Sequence, residues 1–234
     1  MNQPRQPVAD PRWTALVAGG NGLVGSRLLQ TLVVTPECAR VIAVSRRPLI
    51  YDHPKIGNRI ARFEKLEESL AGTHADVAFC CLGTTLKSAG SQEAFRVVDF
   101  DYTVAFARAA LKAGVKRFVL NSSVAADPAA KNFYLRVKGE AEAAIVKLGF
   151  ASLDILQPSL LLGVRSEFRP AELAAMGVLP LVSPLMLGKL EQYRSIRASV
   201  VAAAMVGATR SGRKGVYRYT WRGIHELAAR RPPK

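Results

Sequence analysis

Residues 14–29, TALVAGGNGLVGSRLL, constrain the fold more than any other stretch of the chain. An apolar run, Ala15-Leu16-Val17-Ala18, meets the cluster Gly19-Gly20-Asn21-Gly22, and Leu23, Val24, Leu28 and Leu29 then recur at helical spacing. The pattern reads as strand, tight turn, helix. Gly19, Gly22 and Gly25 recur every third residue, which puts two in the turn and one inside the first helical turn. A glycine turn lets the backbone approach a pyrophosphate, which the free N–H groups of a helix N-terminus then bind. Gly25 would let the helix pack close to its strand. Gly19, Asn21, Gly22, Leu23 and Val24 are therefore the expected phosphate-side residues.

The next strand, 38–44, ends in Ser45-Arg46-Arg47-Pro48. In dinucleotide-binding folds the residues at this point face the adenosine ribose: an acid accepts from the 2′-hydroxyl of NAD, whereas arginine accommodates the 2′-phosphate of NADP. Here the acid is missing and two guanidiniums follow Ser45, with charge and fork geometry suited to phosphate. NADP(H) is expected over NAD(H), with Ser45, Arg46 and Arg47 at the ribose.

Further strands are expected at 59–63, 76–81, 116–121 and 152–156, and helices at 93–113 and 132–148. Three strand ends carry polar or small residues: Leu82-Gly83-Thr84-Thr85, Ser122-Ser123 and Gln157-Pro158-Ser159. In open α/β sheets such ends form the crevice where ligands lie. Strands alternating with helices about every thirty residues imply an α/β, Rossmann-type doubly wound parallel sheet with right-handed crossovers. The alternation lapses after Gly163, where Pro170, Pro180 and Pro184 punctuate helical pieces; a helix at 199–209, a strand at 215–219 and a helix at 223–230 close the chain. The expected organisation is a disordered arm (1–13), a nucleotide-binding core (14–163) and a substrate-side region of the same domain (164–234).

Tyr134 and Lys138 lie four apart in a helical stretch and so share a face. A phenol with the ordinary pKa of about 10 is a poor acid–base near neutrality, and a neighbouring ammonium favours the phenolate. Ser122 and Ser123 end the preceding strand, where a hydroxyl could hydrogen-bond a substrate carbonyl. Such a set lets hydride pass to a carbonyl carbon while Tyr134 supplies the proton to its oxygen. The same Tyr-x-x-x-Lys spacing occurs at Tyr51 and Lys55, but Pro54 falls inside it and argues against a helix.

Taken together, GGNGLVG, the CCLGTT strand end, NSSVAAD and YLRVKGEAE resemble the short-chain dehydrogenase/reductase superfamily. More narrowly, they resemble its atypical branch around the Tat-interacting-protein-like NADPH-binding oxidoreductases. The resemblance implies a Rossmann fold with NADP at the glycine turn, Tyr134 as acid–base, Lys138 as its activator and ribose ligand, and Ser123 (or Ser122) as carbonyl partner. It also implies Gln157, Pro158 and Ser159 beside the nicotinamide, while Leu82, Gly83, Thr84 and Thr85 are expected at the cofactor from their place just beyond a parallel strand. Related extended enzymes often carry asparagine near Asp99, so a proton relay through that helix is not implied here. The branch includes NADPH-binding regulators, which makes a redox sensor with little catalysis the alternative to a carbonyl/alcohol oxidoreductase.

The net charge of +15 raises nucleic acid as a partner, but the basic residues are scattered and no nucleic-acid motif accompanies them. A small-molecule substrate is the expected partner, and an oligomer is compatible with the pattern. No apolar stretch reaches the roughly 20 residues of a membrane span, and the first thirteen residues hold no signal-peptide core. Cys38, Cys80 and Cys81 form neither a disulfide framework nor a metal-binding spacing, so no metal and a reducing cytoplasm are expected.

Overall fold

The computed structural model describes residues 12–162 and 188–232. The chain runs β1 (Trp13–Ala18), α1 (Leu23–Val34), β2 (Cys38–Ser45), β3 (Ile56–Ile60), a 3₁₀ turn (Phe63–Lys65), α2 (Leu66–Ser69), β4 (Val77–Cys80), α3 (Leu86–Ala89) and α4 (Gln92–Arg96). A π-helical turn (Val97–Tyr102) leads into α5 (Thr103–Lys112), β5 (Arg117–Asn121), α6 (Phe133–Val146), β6 (Ser152–Leu156) and β7 (Leu161–Leu162). After residue 187 come a 3₁₀ turn (Gly188–Tyr193), β8 (Ile196–Arg197), α7 (Ala198–Thr209), β9 (Gly215–Tyr219) and α8 (Trp221–Ala228).

Seven parallel strands form one sheet in the order β3-β2-β1-β4-β5-β6-β9. The order reverses at β1, and β1 and β4 lie side by side there, which opens the ligand crevice at their carboxyl ends. The inner strands are continuous apolar runs because helices cover both faces; Ala15, Leu16, Val17 and Ala18 have no exposed surface. One core layer joins α1, α7 and α8 to the sheet, and the other holds α5 and the rings of Phe106, Phe118 and Phe150.

Three expectations change. The strand expected at 59–63 lies at Ile56–Ile60: the chain turns after Ile60, and Phe63 instead buries itself from the 3₁₀ turn. This is an edge strand with little buried surface, so its sequence lacks the alternation that would fix its limits. The helix expected at 93–113 is a near-continuous run broken in register by the π turn. The arm expected at 1–13 gives up Trp13 to β1; residues 1–11 lie outside the described residues, as do the helical pieces around Pro170, Pro180 and Pro184.

Residues 198–219 build part of the Rossmann layer itself. β9 pairs with β6, and α7 packs on α1. Buried Asp154 of β6 locks them together, accepting from the Tyr219 hydroxyl at 3.0 Å and pairing with Arg117 at 2.9 Å. Burial pushes the Asp154 carboxyl above its usual range against the pull of those two partners.

Candidate active site

The turn between β1 and α1 has the geometry the glycines imply. Gly19 takes φ +84°, and a Cβ there would meet the Cys81 carbonyl carbon at 2.5 Å. A Cβ on Gly25 would come within 2.0 Å of the Gly19 carbonyl oxygen, so only glycine lets α1 approach its own turn this closely. Gly22 is the N-cap and no side chain caps the helix, which leaves the first-turn N–H groups of Leu23, Val24 and Gly25 uncapped. No acidic residue stands in that first turn. A backbone cradle with positive potential, no side-chain cap and no acid in its first turn fits a dinucleotide pyrophosphate.

The Asn21 side chain is held within the protein. Its amide donates to the Pro48 carbonyl at 3.0 Å and its oxygen accepts from the Ile50 N–H at 3.2 Å, so it clamps the turn to the loop after β2. The Ser45 hydroxyl is likewise committed, donating to the Arg47 carbonyl at 2.7 Å and receiving the Asn58 amide at 2.8 Å. Arg46 and Arg47 extend from this braced loop, both exposed.

At the end of β4, Gly83 is exposed and Leu82 is half-buried. The Thr84 N–H donates to Asp99 at 2.8 Å, and Thr85 caps α3 by accepting from the Ser88 N–H. The Thr85 hydroxyl also donates to Ser88, which leaves it committed within the protein.

Helix α6 carries Tyr134 and Lys138 toward α4 and the π turn. The Tyr134 ring tilts against Phe95 with centroids 5.5 Å apart, and the Lys138 ammonium lies 2.8 Å from Asp99. Both members of that ion pair are buried. Burial alone would depress the lysine, but the Asp99 carboxylate, with Tyr134 adding to it, holds it well above its usual range. Gly83 covers the pair: a Cβ there would sit 3.3 Å from Asp99 Oδ1 and 3.5 Å from Lys138 Nζ. The close approach of α6 also needs Gly139, whose Cβ would strike the Asp127 carbonyl carbon at 2.2 Å.

Ser123 is buried at the end of β5, and its hydroxyl makes one long contact, 3.4 Å, with the Val124 carbonyl. Ser122 is not equivalent: its hydroxyl donates at 2.6 Å to Glu142, a buried carboxylate of α6. The Gln157 amide also turns onto Glu142, at 2.9 Å, and Arg218 closes the set at 3.1 Å. Ser122 and the Gln157 side chain are therefore both held on Glu142, whereas the Ser123 hydroxyl makes only its long contact. Pro158 accepts the Val124 N–H, and the Ser159 hydroxyl donates to the Arg194 carbonyl. Asn121 Oδ1, buried at the end of β5, has no hydrogen-bond partner among the described residues. A cleft of about 440 Å³ follows the other flank of α6, lined by Asp127, Pro128, Gly139, Glu142 and Arg218 among others; neither Tyr134 nor Lys138 lines it.

Sequence reasoning missed Glu142 as a hub and Asp99 as the lysine's partner. An acidic residue inside the apolar face of a helix is the signal that could have found both. Tyr51 and Lys55 lie outside any helix, as Pro54 implies, although Lys55 is half-buried against the Thr35 carbonyl.

A model of the NAD-dependent epimerase/dehydratase family matches residues 15–143. Protein FMP52 of the fungus Coccidioides immitis is 36% identical over 216 residues, covering 86% of this chain and 87% of its own. The chain belongs to this family. Within it the chain falls with the atypical short-chain dehydrogenases/reductases: protein HTATIP2 of Rattus norvegicus is 37% identical over 68% of this chain and 67% of its own length. Among solved structures, MoeE5 in complex with UDP-glucose and NAD has a TM-score of 0.65 at 20% identity, covering 88% of this chain and 76% of its own. Human epimerase family protein SDR39U1 with NADPH has a TM-score of 0.60 at 22% identity, with coverages of 88% and 74%. These likenesses establish the Rossmann fold, and the family is one of NAD(P)-binding, oxidoreductase-like enzymes.

The expectation of a cytoplasmic location is corrected by the fungal relatives, which are named mitochondrial proteins. None of the described helices is long and apolar enough to cross a membrane.

Proposed function

We propose that this protein is an NADP(H)-dependent oxidoreductase that interconverts a small carbonyl compound and its alcohol. One observation carries the reading: Tyr134 and Lys138 share a face of α6 beside the strand ends that the glycine turn leaves open. In this reading the first-turn N–H groups of α1 hold the pyrophosphate, and Arg46 and Arg47 meet the 2′-phosphate. The Lys138 ammonium, fixed by Asp99, orients the nicotinamide ribose from below Gly83. Ser123 donates a hydrogen bond to the substrate carbonyl, and the Tyr134 hydroxyl gives its proton to that oxygen during reduction or takes it back during oxidation. When bound, the nicotinamide supplies or accepts the hydride.

A second reading is supported by the Asp99–Lys138 pair. A carboxylate 2.8 Å from the ammonium offsets the charge that would activate Tyr134, as suits an NADPH-binding redox sensor with little turnover. A panel of carbonyls and alcohols, run with native protein and Tyr134→Phe, separates the two. Turnover by the native protein that Tyr134→Phe reduces by about 100-fold or more, with NADPH affinity kept, supports the oxidoreductase. Tight NADPH binding with no turnover of any substrate overturns it in favour of the sensor. Cofactor choice has its own test: Arg46→Asp is expected to weaken NADPH far more than NADH, and equal native affinities for the two would defeat the NADP assignment.

A further inference from the structure

Arg46 is exposed, yet it has a definite resting place. Its guanidinium carbon lies 5.7 Å from the centroid of the Tyr102 ring, on the last residue of the π turn. That ring is fixed on two sides. Its hydroxyl donates to Glu64 of the 3₁₀ turn after β3, and its face tilts against buried Phe63, with centroids 5.3 Å apart. The loop after β2, the turn after β3 and the π turn after β4 thus converge on one guanidinium. Among the described residues Arg47, its neighbour, has no ring beneath it.

We infer that Tyr102, tethered by Glu64, is a specificity-determining seat that holds Arg46 ready for the 2′-phosphate of NADP. The inference rests on the NADP reading above and adds to it that the basic turn alone is not the selectivity device. The physical reason is entropic. A free arginine loses rotamer freedom when it grips a phosphate, a cost of about 0.5–1.5 kcal/mol per side chain, or roughly two- to ten-fold in affinity. A guanidinium already resting on an aromatic face has lost much of that freedom before the ligand arrives. The tether also manages the local acid. Glu64 accepts from the Tyr102 hydroxyl, which holds its carboxyl below the usual range, while the same bond pushes the phenol up. The carboxylate therefore stays ionised and bonded to the phenol across ordinary pH. The guanidinium of Arg46 acts on that carboxylate only electrostatically, with no ion pair between them among the described residues.

The experiment measures NADPH and NADH affinities by fluorescence or calorimetric titration, independently of turnover, for Arg46→Ala, Tyr102→Leu and the double variant. Tyr102→Leu is expected to weaken NADPH about five-fold and leave NADH within about two-fold. The double variant should be no weaker toward NADPH than Arg46→Ala alone, because the ring acts through the arginine. If Arg46→Ala collapses the NADPH preference while Tyr102→Leu leaves it intact, the seat is overturned and the NADP reading stands. If Arg46→Ala leaves the ratio unchanged, the NADP reading itself fails. Equal weakening of NADPH and NADH by Tyr102→Leu also overturns the seat, since the ring would then serve the shared adenosine. Should Tyr102→Leu fail to fold, Tyr102→Phe carries the test. It frees the ring from Glu64 and is expected to weaken NADPH about two-fold with NADH unchanged, and no effect from it overturns the inference.

Discussion

Replacing Asp99 with asparagine keeps the side chain's shape and its acceptor for the Thr84 N–H but removes the charge beneath Lys138. The two charges lie 2.8 Å apart, which at an effective dielectric constant of about 20 corresponds to a Coulomb attraction of about 6 kcal/mol. Removing both ions from water offsets part of this, and breaking one partner of a buried pair costs about 3–5 kcal/mol. Asp99→Asn is expected to fall within that range, about 3–5 kcal/mol, because the one amide oxygen that accepts from the Thr84 N–H leaves the amide NH2 facing the ammonium. The measurement is urea unfolding at constant m-value. The double variant Asp99→Asn/Lys138→Met should recover part of the loss, since no uncompensated buried charge remains. The pH dependence follows from the sign of the lysine shift. Its folded pKa is raised above the unfolded value, so the contribution is fully present below about pH 10 and is lost only as pH rises through the folded value. In Asp99→Asn burial is left to depress the lysine, so the native protein's stability should not change through this group between about pH 6 and 9, while the variant's loss should shrink as pH rises. A loss under about 1 kcal/mol, or a double variant as unstable as the sum of the two singles, would refute the coupling.

Gly25→Ala sets a methyl 2.0 Å from the Gly19 carbonyl oxygen and should cost about 3 kcal/mol in a thermal or urea melt, together with NADPH binding; near-native stability would contradict the close approach of α1 to its turn. Glu142→Ala strands the donors of Ser122 and Gln157 in a buried site, and an unfolding midpoint lowered by about 3 kcal/mol is expected, whereas an unchanged midpoint would show that the hub stabilises nothing. Burial pushes the thiols of Cys38 and Cys80 up to about 11 and that of Cys81 well above its usual range, so all three should resist a thiol reagent near neutral pH until the protein unfolds; rapid labelling of native protein would contradict their burial.

The fold was largely legible because its main signals are local. The glycine turn and the apolar strands each specify their own conformation. β3 was misplaced because an edge strand with exposed faces carries no alternation, and Phe63 is as apolar as a strand residue would be. At the site, type and spacing brought Tyr134, Lys138 and Ser123 to attention. They could not separate Ser123 from Ser122, since that difference lies in Glu142, twenty residues downstream of Ser122. The hydrogen bonds of Asn21, the Lys138–Asp99 pair and the Tyr102 ring under Arg46 are likewise contacts between elements far apart in the chain. The π turn is the clearest case. It changes which residues of the 92–112 stretch face inward, and a strictly helical reading has no means of anticipating that shift.

The most direct test is a titration of the native protein with NADPH, followed by nicotinamide fluorescence or calorimetry. A saturable signal that Gly25→Ala abolishes is expected if the dinucleotide lies across the open amino end of α1. No saturable signal, or binding that Gly25→Ala leaves untouched, would contradict it.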